Sequence, residues 1–155
     1  LSVLAGYKRS KAEVLARMEQ RKQSKPQHKK QDDSYISLTE LARNHSKNTP
    51  GYVIQSWLRS ENTLAFLNLW EQENNPDYRE AGYIELLEKK KTASFTLTPK
   101  LWIEKTKAIG IASKQGKGGG TFAHPMIGCE FASWISPEFK MLLLKLSLNR
   151  ERLKE

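Results

Sequence analysis

A single cysteine, Cys129, is all the thiol this chain carries. One cysteine excludes an intramolecular disulfide and a cysteine-based zinc site, and it points to a reducing compartment. No apolar run approaches the roughly 20 residues needed to span a bilayer, so no transmembrane helix is expected. The opening LSVLAG is too short for the apolar core of a signal peptide. The chain begins with Leu1 rather than Met, which reads as a fragment or a trimmed product. Catalytic signatures are missing too. The three histidines, His28, His45 and His124, show no metal spacing such as HExxH. His124 reads as a backbone partner at a helix start. Cys129 stands among Gly128, Phe131 and Ala132, a packed and inert setting. No Ser-His-Asp or Cys-His arrangement is suggested. Carboxylate pairs occur at Glu71 and Glu73 and at Glu85 and Glu88, all read as helix surface. These absences argue against an enzyme, a metal site or a small-molecule cofactor.

Positive charge is what the chain has in excess. Its 155 residues hold 26 Lys and Arg against 17 Asp and Glu, a net charge of +9, with 38% hydrophobic residues. That composition supports one compact domain with a core, and the charge favours a polyanionic partner. The charge is uneven. Residues 1–31 carry nine basic residues and two acids, +7 in all, which leaves only +2 for residues 32–155. This arm reads either as a solvated leader or as a functional extension. Acids are absent from 41–60, where Arg43, Lys47 and Arg59 lie, and from 105–129, which includes Lys105, Lys107, Lys114 and Lys117. The acids gather between these windows, at 71–90. One positive face is expected, suited to phosphate.

The pattern along the chain predicts a polar helix over 8–24, a linker, and a globular part from Ser34. Tyr35-Ile36-Ser37 reads as a short strand end. Ser37 with Glu40 is a capping box opening a helix, LTELARN. Thr49-Pro50 opens a second, whose Val53, Ile54, Trp57 and Leu58 form one buried stripe. Two short helices with a tight connection are a helix-turn-helix candidate. Helices are also expected over 62–73, 79–91 and 100–108. Ile109–Ser113 and Thr121–Ala123 read as strands of a hairpin with a flexible basic tip. A helix follows from Pro125 to Ile135, with Ile127, Phe131 and Trp134 as its buried face, and a last one from Ser136-Pro137 to the end. The class is α+β.

Two places carry candidate chemistry. The tip KQGKGGG lacks the GxxxxGK[ST] phosphate loop, and Thr121 breaks a GxGxxG pattern. What remains is a basic wing, or else an ordinary flexible hairpin. On the helix at 50–59, Gln55 suits adenine and Arg59 suits guanine or phosphate in a major groove; both equally suit a solvated face. The aromatics read as core, which argues against a stacking platform for single strands. Charge alone does not separate DNA from RNA. The last helix has two apolar stripes, Phe139, Leu142, Leu143, Leu146 and Met141, Leu144, Leu148. One is expected to cover the core. The other suits a protein partner, a second copy or a further region.

The segments YISLTELAR, YVIQSWLRSENTLAFLNLWEQENNP, LTPKLWIEKTKAIGI and GGTFAHPMIGCEFASWISPEFK resemble the KilA-N domain family. The signature is carried by Gly119, Gly120, Thr121, His124, Ile127, Phe131, Ala132, Trp134, Ser136, Pro137, Glu138 and Phe139. The resemblance covers about 34–145, with 1–33 as arm and linker and 146–155 as a helical extension. It implies a DNA-binding domain of phages, large DNA viruses and bacteria, related to the DNA-binding domain of the fungal APSES transcription factors. It implies a cytoplasmic, non-enzymatic regulator that meets duplex DNA through a helix-turn-helix and a wing. Carried over by position, it assigns Gln55, Ser56 and Arg59 on the helix, and Lys114, Gln115, Gly116, Lys117, Gly118, Gly119 and Thr121 on the wing. Arg43 and Lys47, from the first basic window, complete the expected interface. The stretch 1–31 does not resemble the short β-segment with which members usually open. If that segment is absent, a sheet edge is left unpaired. A protein-interaction module using the apolar last helix is the alternative.

Overall fold

The computed structural model describes residues 34–152. The expected basic arm at 1–33, its helix and the final residues 153–155 lie outside the described residues. Within them the chain is mixed: helices around a small three-stranded antiparallel sheet, the α+β class expected. Strand β1 (Ile36–Ser37) runs directly into α1 (Leu38–His45). Helices α2 (Pro50–Leu58), α3 (Glu61–Asn74), α4 (Glu80–Lys89) and α5 (Pro99–Thr106) follow. Strands β2 (Ile111–Lys114) and β3 (Gly120–Ala123) form a hairpin, and α6 (Pro125–Ile135) and α7 (Pro137–Arg152) come last.

Local chemistry sets most of these boundaries. Ser37 Oγ accepts from the Glu40 amide at 3.1 Å, Thr98 Oγ1 from Leu101 at 3.2 Å, and Ser136 Oγ from Phe139 at 3.1 Å. Each satisfies an orphan amide of a first turn. His124 Nδ1 does the same for Met126 at 3.1 Å, the backbone role expected of it. Prolines occupy the first helical positions of α2, α5 and α6, where no amide is needed. Thr49 stands at the N-cap of α2 without a side-chain bond.

The sheet order is β1-β3-β2. Central β3 pairs Ala123 with Ile36 on one side and with Ile111 on the other. Helices pack on this sheet around fully buried Trp57, Trp102, Phe131, Leu38, Leu58 and Leu64. Trp57 meets Phe131 edge-on, with ring centroids 5.0 Å apart, and so joins α2 to α6.

Glu71 overturns its reading as helix surface. It is 1% exposed. Its carboxylate accepts from the Gly110 amide at 2.7 Å, the Ile109 amide at 3.0 Å and Asn75 Nδ2 at 2.8 Å. Asn75 Nδ2 also reaches the Lys107 carbonyl at 2.9 Å. This explains a second difference. Strand β2 begins at Ile111 rather than Ile109, because a side chain already holds the amides of residues 109 and 110. On its other side, the Gly110 carbonyl accepts from the His124 amide at 2.8 Å. Glycine is required there: a Cβ would lie 2.4 Å from Ile127 Cδ1 and 2.7 Å from the Trp70 ring.

Three further expectations change. Trp134 is 46% exposed and does not belong to the buried face of α6. Ile127, Phe131 and Ala132 fill that face, and Trp134 stacks on the outside of Phe131 at 6.3 Å. Cys129 is half-buried rather than fully packed. Neither apolar stripe of α7 covers the core: every residue from Met141 to Asn149 is exposed. The core is already closed by α6; of the first stripe only Phe139 is half-buried, and α7 projects away beyond it.

Glu71→Gln replaces one acceptor oxygen with a donor facing amide donors. It is expected to lower unfolding free energy by about 2–4 kcal/mol, read from urea denaturation. A loss under about 0.5 kcal/mol would show that the carboxylate does not organise this junction. Gly110→Ala is expected to cost about 1–3 kcal/mol in the same assay by overpacking against Ile127 and Trp70.

Candidate nucleic-acid interface

The β2–β3 hairpin presents its basic residues on a glycine-rich tip. Lys114, Gln115, Gly116, Lys117 and Gly118 are exposed, and Gly119 is half-buried. Gly116 and Gly118 have φ of 86° and 71°, the left-handed region that glycine enters without penalty. The Gly119 amide closes the turn on the Gly116 carbonyl at 2.9 Å. Lys114 lies over the Phe122 ring, with its ammonium 5.8 Å from the centroid, so its charge rests on the hairpin's own aromatic.

The base of the hairpin is bonded to α1. β1 stops at Ser37, and beyond it the Thr39 hydroxyl takes the place of a strand partner, accepting from the Thr121 amide at 2.9 Å. The Thr121 side chain is only 9% exposed. Its position therefore supports the hairpin from inside and does not present a hydroxyl to a ligand. Thr39 is a positioning residue that sequence reasoning missed. A threonine early in an amphipathic helix carries no signal of a partner more than 80 residues away.

Helix α2 divides into two sides. Val53, Ile54, Trp57 and Leu58 are buried, as the stripe predicts. Gln55 and Ser56 are half-buried and Arg59 is exposed. Arg59 stands over the Tyr52 ring, 5.7 Å from its centroid. Tyr52 is half exposed and was not singled out, although its spacing of seven residues from Arg59 is two helical turns on one face. Ser56 and Tyr52 line a shallow cleft of about 240 Å³ with His45, Asn48 and Trp134. Gln55 does not line it. Arg43 and Lys47 are exposed at the end of α1 and in the α1–α2 connection. Arg43 is engaged by Glu40 one turn earlier, a pair more than half exposed and worth little against water.

The structure brings the hairpin to α1 and brings α2 to α1, so α1 is the shared neighbour of both basic clusters. The charge of the acid-free windows is partly spent. Lys105 bonds Glu85 at 3.0 Å, joining α5 to α4, and Lys89 reaches the same carboxylate at 3.3 Å. The Lys105 hydrogen bond, then that of Lys89, holds the Glu85 carboxyl below its ordinary value. At the end of α2 the Lys90 ammonium donates to the Arg59 carbonyl. Burial pulls the Lys90 amine below its usual value, with Glu61 opposing. Among the described residues no helix is long and apolar enough to cross a membrane. No group of three or more His, Cys, Asp and Glu there is placed to hold a metal ion.

Comparison with known proteins supplies an independent line. The sequence model of the KilA-N domain matches residues 19–151, most of the chain. Protein kilA of Escherichia phage P1 is 55% identical over 31 residues, which are 20% of this chain and 12% of that protein. The chain thus matches only a small part of that relative's length. No solved structure matches significantly.

Thr39→Val keeps the shape but removes the acceptor at the hairpin base. A loss of about 1 kcal/mol is expected, with faster hydrogen exchange at the Thr121 amide and little change at the amides of α3. Unchanged Thr121 exchange would show that the hairpin is held without Thr39.

Proposed function

The chain belongs to the KilA-N domain family, and on that premise we propose that it binds duplex DNA as a non-enzymatic phage or mobile-element regulator. In this reading α1 and α2 form a helix-turn-helix and the β2–β3 hairpin is its wing. The observation that carries it is the hairpin. Exposed Lys114 precedes the glycine-rich tip and exposed Lys117 stands within it, and the glycines let the backbone approach a phosphate closely. Its base is tied to α1, the helix against which α2 packs.

The roles follow from position. Lys114, Lys117 and the backbone of Gln115 to Gly119 meet phosphates. Lys47 and Arg43 extend the phosphate contact along α1, and Arg43 gives up a weak surface pair to do so. Gln55 and Ser56 read base edges. Arg59 reaches guanine or phosphate from its stacked position on Tyr52, which restricts the guanidinium before binding and lowers the entropy lost on contact. Thr121 and Thr39 orient the wing without touching DNA.

Reversing the charge of Lys114, Lys117 and Arg59 together tests this. Anisotropy titration on a mixed-sequence duplex at several salt concentrations is expected to show at least a tenfold loss of affinity. The log–log salt slope is expected to fall by about 1 for each phosphate contact removed. Unchanged duplex affinity in a variant with native circular dichroism would overturn the reading. Equal binding to a single strand or an RNA duplex would overturn its restriction to duplex DNA.

A further inference from the structure

Helix α2 carries an aromatic ring that the proposed base contacts leave unused. At about 3.6 residues per turn, Tyr52, Gln55, Ser56 and Arg59 fall within about 100° of one another around the axis. The opposite side holds the buried Val53, Ile54, Trp57 and Leu58. Tyr52 and Arg59 take the middle of the outer arc, between Gln55 and Ser56. Tyr52 is 51% exposed even with the Arg59 guanidinium over its ring, so a large part of the ring is open.

The Tyr52 ring also lines the cleft shared with Ser56 and Trp134, to which Val53 and Ile135 contribute. No lining residue is acidic, and residues 41–60 hold no acid at all. Trp134 is held in place from the core. It stacks on Phe131 at 6.3 Å with the ring planes 25° apart, and Phe131 meets Trp57 of α2 edge-on. The two aromatic walls are therefore fixed to each other through the buried side of α2. Beside Tyr52 stands Gly51, a poor helix former that the fold does not require: a Cβ there would meet nothing within 4 Å. The bare backbone leaves room for a strand to come close to the ring.

Resting on the reading of α2 as the helix that enters a major groove, the chemistry of that groove decides what the ring meets. Base pairs display donors and acceptors there, and the apolar group they display is the thymine C5-methyl. Tyr52 is the third residue of α2, in the part of a recognition helix that meets base edges. The acid-free surroundings admit the flanking phosphates. We propose that Tyr52 is a specificity-determining residue that receives a thymine methyl against its ring, at the mouth of the cleft it shares with Trp134.

Selection of duplexes from a randomised pool by the 155-residue chain tests this, followed by anisotropy titration of the enriched site with uracil replacing thymine at one position at a time. Uracil removes the methyl and keeps the hydrogen-bonding pattern. At one position a loss of about fourfold in affinity is expected, the effect of returning one methyl to water. Tyr52→Phe is expected to keep that preference. Tyr52→Ser, which leaves the core intact, is expected to abolish it with native circular dichroism and an unchanged salt slope. If Tyr52 serves only as the plane under Arg59, Tyr52→Ser weakens binding yet still distinguishes thymine from uracil, and that outcome overturns the proposal. Duplex binding with no enriched sequence, or with thymine and uracil equivalent at every enriched position, also overturns it and leaves the duplex reading standing. Failure to retain any duplex overturns both.

Discussion

One buried carboxylate holds the two halves of this fold together. Glu71 belongs to α3, yet its bonds go to the amides of Ile109 and Gly110, the residues that lead into the hairpin. Burying a carboxylate is costly unless hydrogen bonds replace its hydration, and here two backbone amides and Asn75 Nδ2 do so. The same short segment is gripped from its other side. Tyr35 donates to the Ile109 carbonyl at 2.8 Å, and the His124 amide donates to the Gly110 carbonyl at 2.8 Å. The chain just before β1, the start of β2 and the end of β3 therefore converge on one dipeptide. The sheet has few backbone bonds of its own, β1 being two residues long. Its placement relative to the helices comes from these side-chain bonds. The orientation of the basic tip follows from them in turn.

Helix α2 combines a packed side with an exposed one. Four of its nine residues are buried, and Trp57 anchors it to α6 through Phe131. The buried side makes the helix stiff, so its outer side chains hold fixed relative positions. The outer side is left to Gln55, Ser56 and Arg59, with Tyr52 as the plane on which Arg59 lies. The end of the helix is drawn toward α4 by Lys90, which occupies the Arg59 carbonyl.

The helices were legible because their signals are local. Ser37, His124 and Ser136 cap what they were expected to cap, and Pro50 and Pro125 open what they were expected to open. Two failures had different causes. Glu71 was read as surface from its charge, yet it follows Leu64 and Leu67 at i+7 and i+4, on the buried stripe of α3. Periodicity outranked residue type there, because distant amides were waiting to receive the carboxylate. Thr39 and Tyr52 escaped for want of a local pattern: each acquires its role from a neighbour that only the folded chain supplies. The stripes of α7 were visible in sequence, but a stripe does not say whether its cover is the chain's own core.

The joint at Ser136 connects these levels. Helix α6 is fixed to α2 by the Phe131–Trp57 contact and to β3 through His124, which ends one and caps the other. Helix α7 then departs from α6 across a single doubly bonded serine, followed by a proline whose φ is fixed. No loose segment separates the outer side of α2 from the root of α7.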